Sequence, residues 1–187
     1  MHKFSLLLLV SHFFISGCAH SPIGSNATTT QVAAEEESDS PWIKQSFDCG
    51  IQLEAPAKLE LAAATNIGKG VEFKTESVSF KLKDAHGSFQ LHSTSFPNKD
   101  KLDQLSANYL ADSYVIGFKC KNLVREKTDG DFVTQSARCV LDDDMMMWMK
   151  YGKRGKVFAM AIFMVDYKNR KNYELPAQNF IRTVSWK

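Results

Sequence analysis

The sequence predicts an α+β fold: an antiparallel β-sheet with helices packed on its faces, arranged as an α/β/α sandwich. Three observations predict it. Asp129-Gly130, a two-residue turn signal, separates two strand-like runs at 122–128 and 131–141. Residues 157–165 (VFAMAIFMV) are apolar at both parities, so a strand there needs cover on both sides. Segments 101–117 and 174–184 carry apolar residues at helical spacing and can supply that cover.

The elements follow in order. Residues 47–53 (FDCGIQL) alternate Phe47, Cys49, Ile51 and Leu53 with Asp48, Gly50 and Gln52, the period of a half-buried strand. Ala55-Pro56 ends it. Residues 57–70 are ambiguous: KLELAAATN could form a short helix, and Gly68 and Gly70 mark a loop. Val78, Phe80 and Leu82 on one side and Phe89 and Leu91 on the other flank Asp84-Ala85-His86-Gly87, a hairpin with a four-residue connection. Pro97-Asn98 closes it. Leu102, Leu105, Tyr109 and Leu110 then recur at helical spacing, with Gly117 as the stop. After the Asp129-Gly130 hairpin come a strand at 145–151, a turn at Gly152-Lys153-Arg154-Gly155 and the doubly apolar strand. A final helix starts near Pro176 and turns Phe180, Ile181 and Val184 to one side, with Trp186 packing at its end.

The chain has 187 residues, 44% of them hydrophobic, and a formal charge of +2. One sizeable core is expected, and a nucleic-acid partner is not. Hydrophobicity is concentrated at the start. Lys3 precedes an apolar run at 4–15, which is too short for a comfortable permanent span and fits a signal peptide. The run ends in Ile15-Ser16-Gly17-Cys18, which resembles the lipobox of bacterial lipoproteins, with Ile15 in place of the usual Leu. The resemblance implies removal of residues 1–17 and lipidation of Cys18 by a diacylglyceryl group and a further acyl chain, enough for stable membrane anchoring. Ala19 then favours an outer-membrane address in a Gram-negative bacterium, facing the periplasm, with exposure at the cell surface left open.

Residues 18–41 form a flexible tether, rich in Ser, Thr, Ala and Glu, with a coil-like reach of roughly 25–30 Å. Residues 42–187 form a single globular domain. Lys3 is the only basic residue before it, and Glu35, Glu36, Glu37 and Asp39 are the only acids; the domain therefore carries 22 basic and 17 acidic residues, a net +5. This mild basic bias could favour an anionic partner, but ordinary solvated lysines are the favoured reading.

The element order has a known counterpart. A strand running into Pro56, a hairpin, an amphipathic helix, a long meander and a terminal helix closing on FIRTVSW (residues 180–186) resemble the PsbP-like fold. That family includes the extrinsic photosystem subunit, a Ran-binding nuclear import factor and many bacterial proteins. The likeness lies in topology rather than motif: Ala57-Lys58-Leu59 follows the proline where an aromatic residue is common. It implies a protein-binding or assembly role and supplies no catalytic residues.

With Cys18 lipidated, Cys49, Cys120 and Cys139 remain. If Asp129-Gly130 is a two-residue turn and no bulge intervenes, Cys120 faces Cys139 within disulfide reach. That pairing leaves Cys49 as a buried free thiol; pairing of Cys49 with either partner, or three reduced thiols, remain open. His86 in a turn and His92 on a strand make a weak catalytic or metal set. No nucleophile elbow, HExxH, P-loop or dinucleotide fingerprint occurs, and no cofactor is implied. Asp142-Asp143-Asp144 reads as a solvated turn, with a weak hard-cation site as the minor alternative.

Met145-Met146-Met147-Trp148-Met149 is the oddest composition. Alternation sends Met146 and Trp148 to the face opposite Met145, Met147 and Met149. The leading expectation is a non-enzymatic domain that binds another envelope protein through Met146, Trp148 and the basic pair Lys153-Arg154. A soft-metal (copper) or small apolar ligand site in the methionine region is the alternative. A hydrolase with an unrecognised site ranks third.

Overall fold

The computed structural model describes residues 42–187 except 68–72, 84–85, 128–129 and 141–143. The chain runs through β1 (Ile43–Ser46), β2 (Ile51–Ala55), β3 (Glu60–Ile67), β4 (Phe73–Lys81) and β5 (Ser88–Ser95). Two helices follow, α1 (Lys99–Asp103) and α2 (Ala107–Gly117). Then come β6 (Cys120–Lys127), β7 (Phe132–Cys139), β8 (Met145–Arg154) and β9 (Val157–Asp166). A 3-10 turn (Tyr167–Asn169), helix α3 (Glu174–Thr183) and β10 (Ser185–Trp186) complete it.

Seven strands form one antiparallel sheet in the order β3-β4-β5-β9-β8-β7-β6, and β1-β2-β10 form a small second sheet. The doubly apolar strand β9 is the central strand of the seven, and every residue from Phe158 to Val165 is buried. Alternation splits its side chains between two cores. Ala159, Ala161, Phe163 and Val165 meet α3 through Phe180 and Ala177, and β2 through Ile51 and Leu53. The Phe89 ring lies 4.4 Å from Phe163 and 5.1 Å from Phe180, centroid to centroid. Met160, Ile162 and Met164 face the other way and pack under α1 and α2 through Leu102, Ala111, Tyr114 and Val115. Fully burying each large side chain is worth about 1.5–3 kcal/mol, so the two layers together hold the sheet. The expected α+β class with cover on both faces is what the structure shows; the small sheet beside α3 is the addition.

Several elements differ from the sequence expectation. Residues 47–50 are a turn rather than the start of a strand: Phe47 N donates to Ile51 O at 2.9 Å, and Gly50 takes a φ of +86°. The Ala-rich stretch is strand β3, because pairing with β4 overrides the helix preference of alanine. The single predicted helix is two, since the Ser106 side chain accepts from Tyr109 N at 3.0 Å and starts α2 afresh. Gly152-Lys153-Arg154 continue β8, and the turn is Gly155-Lys156, with Gly155 at φ +58°. Gly152 is buried there, and only glycine fits, because a Cβ would collide with the Asp131 carbonyl oxygen. Trp186 packs at the end as expected, stacked 5.2 Å from Phe132. Gly68, Gly70, Asp84, Ala85, Asp129, Asp142 and Asp143 lie outside the described residues.

Cys120 and Cys139 form a disulfide and are directly paired across β6 and β7, with Cα atoms 3.8 Å apart. The assumption behind that expectation fails, although its result stands. From Val124↔Ser136 to Lys127↔Val133 the register is one residue away from the one a two-residue turn would give. A bulge between Lys121 and Val124, where Asn122 has a φ of +53°, restores it before the cysteines. Cys49 is free and half-buried rather than fully buried, and burial pushes its thiol pKa up.

Candidate functional site

The face of the sheet shared with α3 is not wholly covered. Next to α3, the outer strands β6, β7 and β8 leave a groove of about 460 Å³. Its floor contains Val124, Ser136, Met146 and Trp148, and its opposite wall contains Tyr167, Arg170 and the α3 residues Gln178 and Ile181. The Trp148 ring is held from beneath by stacking on Phe163, centroids 5.8 Å apart. Two guanidiniums lie over the Tyr167 ring: Arg138 with its central carbon 4.0 Å from the ring centroid and Arg170 at 3.9 Å. Arg138 is held in place by Asp144, which accepts from its Nε at 2.6 Å and from a terminal nitrogen. That pairing raises the Arg138 pKa and lowers that of Asp144. Asp144, the described member of the acidic triplet, therefore orients an arginine.

The expected partner residues fall in two places. Met146 and Trp148 line the groove together. Lys153 and Arg154 do not join them. Lys153 lies on the other face, where Nζ donates to Leu105 O at 2.8 Å and Leu102 O at 3.3 Å, closing the carbonyl end of α1. Arg154 is exposed and donates to the Lys187 carbonyl at 2.8 Å. Met147 and Met149 are 0% exposed and share a core with Met160 and Met164, an ordinary gap-filling use of thioethers.

His92 is buried, and Ser77 Oγ lies 2.7 Å from its Nδ1 while Gln90 Oε1 lies 2.8 Å from its Nε2. The pair resembles a nucleophile and base, but Gln90 stands where an orienting carboxylate would. Burial lowers the His92 pKa to about 4, which weakens it as a base. His86 is exposed in its turn, away from this pair.

Two constellations escaped the sequence. Arg138, Tyr167 and Arg170 come from separate elements, and nothing in their spacing brings them together. A polar network lies under α2: Gln135 Oε1 accepts from Arg125 Nε at 2.9 Å and from Tyr151 OH at 3.2 Å, Tyr151 OH also approaches Asn108 Oδ1 at 2.8 Å, and Arg125 pairs with Asp112. Its signal was present, since Gln135 interrupts the apolar row Val133, Ala137, Cys139 on one face of β7.

No protein-family model matches the chain, and no curated protein matches it by sequence. Solved structures match it in fold. One is the solution structure of cyanobacterial PsbP (CyanoP) from Synechocystis sp. PCC 6803, at 10% identity and a TM-score of 0.56, covering 86% of this chain and 98% of that one. The likeness shows the fold: an α+β protein of PsbP-like architecture.

Proposed function

We propose that this protein is a lipid-anchored component of the bacterial envelope whose domain binds another protein without catalysing a reaction. The observation that carries the reading is the groove, where Trp148 and Met146 stand half-exposed on a rigid sheet beside an arginine–tyrosine stack. Aromatic, Met and Arg side chains are the residue types enriched at interfaces. Ile15-Ser16-Gly17-Cys18 supports anchoring through Cys18, and residues 19–41 supply a spacer that lets the groove meet partners away from the bilayer. The PsbP-like architecture supports a binding role by analogy.

A photo-crosslinking amino acid at Trp148 in the full-length chain, expressed at native level, tests the binding reading. A discrete adduct is expected from Trp148 and none from Leu61, which is 65% exposed on the distant edge strand β3. Equal or absent adducts at both positions would remove the groove as the site. Anchoring is checked separately: Cys18→Ser is expected to abolish the acyl mass increment and move the chain out of the membrane fraction.

A further inference from the structure

β6 is an outer strand of the large sheet. It pairs with β7, and no described strand pairs with its other edge. Exposed edges are usually blunted by a bulge or by charge. Here the bulge at Asn122 interrupts only the first part of the strand, and the register is regular from Val124 to Lys127. Leu123 and Val124 sit on this open edge 42% and 53% exposed, an aliphatic pair between the basic residues Lys121 and Arg125.

The register then adds a direction. Val124 pairs with Ser136, Ser136 with Trp148, and Trp148 with Phe163. One row of side chains thus runs from the open edge along the groove floor into the core. A strand laid beside β6 would place its own side chain next to Val124, at the outer end of that row. Charge selects the sequence of such a strand. Lys121 lies on β6 beside Arg125, whose charge is already met by Asp112, and Arg170 and Lys171 stand with the single acid Glu174 on the groove wall, so the edge and groove together are net basic.

We infer that β6 accepts an extended segment of a partner protein as an eighth strand, with acidic residues alternating with aliphatic ones. The backbone of the segment bonds to the free edge, its aliphatic side chains cover Val124 and the row behind it, and its carboxylates meet the basic edge. This rests on the protein-binding reading and names the chemistry of the partner.

The probe is a short synthetic peptide alternating Glu and Val, titrated against the full-length protein in detergent. Three controls accompany it: a Lys–Val peptide, the Glu–Val peptide with alternate backbone nitrogens methylated, and the variants Val124→Glu and Leu61→Lys. Strand addition predicts saturable binding that weakens severalfold as salt rises, and slowed amide exchange at 123–127. It predicts a loss of roughly tenfold or more with the methylated peptide and with Val124→Glu, and no loss with Leu61→Lys. Equal binding of the methylated peptide overturns strand addition. Equal or tighter binding of the Lys–Val peptide overturns the acidic partner. Absence of Glu–Val binding while Trp148 still yields its envelope adduct overturns the inference alone; absence of both removes the protein-binding reading as well.

Discussion

Ser77, Gln90 and Tyr114 surround the His92 ring with neutral groups, and burial alone pushes its pKa from 6.5 down to about 4. The sign follows from linkage. Protonation is easier in the unfolded chain, so the contribution is fully present above about pH 6.5 and is lost as pH falls toward 4. The shift corresponds to about 3 kcal/mol at most. Denaturant midpoints of wild type and His92→Gln measured across this range check it: the wild type is expected to fall steeply, and the difference between the two to shrink on acidification. A difference that stays constant with pH would show that His92 does not titrate with folding. The residue scale is also where the sequence was least legible. A lone histidine on a strand gives no sign of whether its face is covered. Lys153 likewise read as part of a surface turn, because the helix end that binds it lies 48 residues earlier in the chain.

Elements were legible wherever local chemistry and tertiary pairing agree. The central strand, the β4–β5 hairpin and α3 follow from periodicity that packing later satisfies. The stretch at 60–67 was not, because alanine prefers a helix and only the partner strand decides otherwise. The end of α2 shows a subtler split. Gly117 is its last residue, as its position suggests, but the left-handed conformation falls on Lys119, at φ +49°. A side chain there is strained, so Lys119→Gly is expected to raise stability by about 0.5–1 kcal/mol in chemical denaturation. A loss instead would mean that the lysine side chain contributes more than its backbone costs. Immediately beyond it, the Cys120–Cys139 bridge closes a loop of 19 residues in sequence separation and clamps the bulged strand β6 to β7. Replacing both cysteines with alanine is expected to cost about 2–4 kcal/mol, read as a lowered unfolding midpoint under oxidising conditions. An unchanged midpoint would show that the hairpin register holds without the bridge.

At the scale of the whole molecule the two faces of the sheet have different completeness. Helices α1 and α2 seal one face over Met147 and Met149, while α3 leaves the other open toward β6. Alternation in the sequence already divided these methionines from Met146 and Trp148, so half of the candidate site was legible. The other half, Arg138 with Tyr167 and Arg170, depends on where the 3-10 turn lands, which no local pattern encodes. The asymmetry predicts that stability and binding can be separated by face. Met147→Ala removes a side chain with 0% exposure and is expected to cost about 2–5 kcal/mol, with the Trp148 crosslink retained at temperatures where the variant is still folded. Val124→Glu alters a residue 53% exposed at the mouth of the groove and is expected to change stability by no more than about 0.5 kcal/mol while the crosslink from Trp148 is lost. Thermal unfolding and adduct yield measured on the same two variants check both halves. If adduct yield tracked stability in both, binding would belong to the fold as a whole and not to the open end of one face.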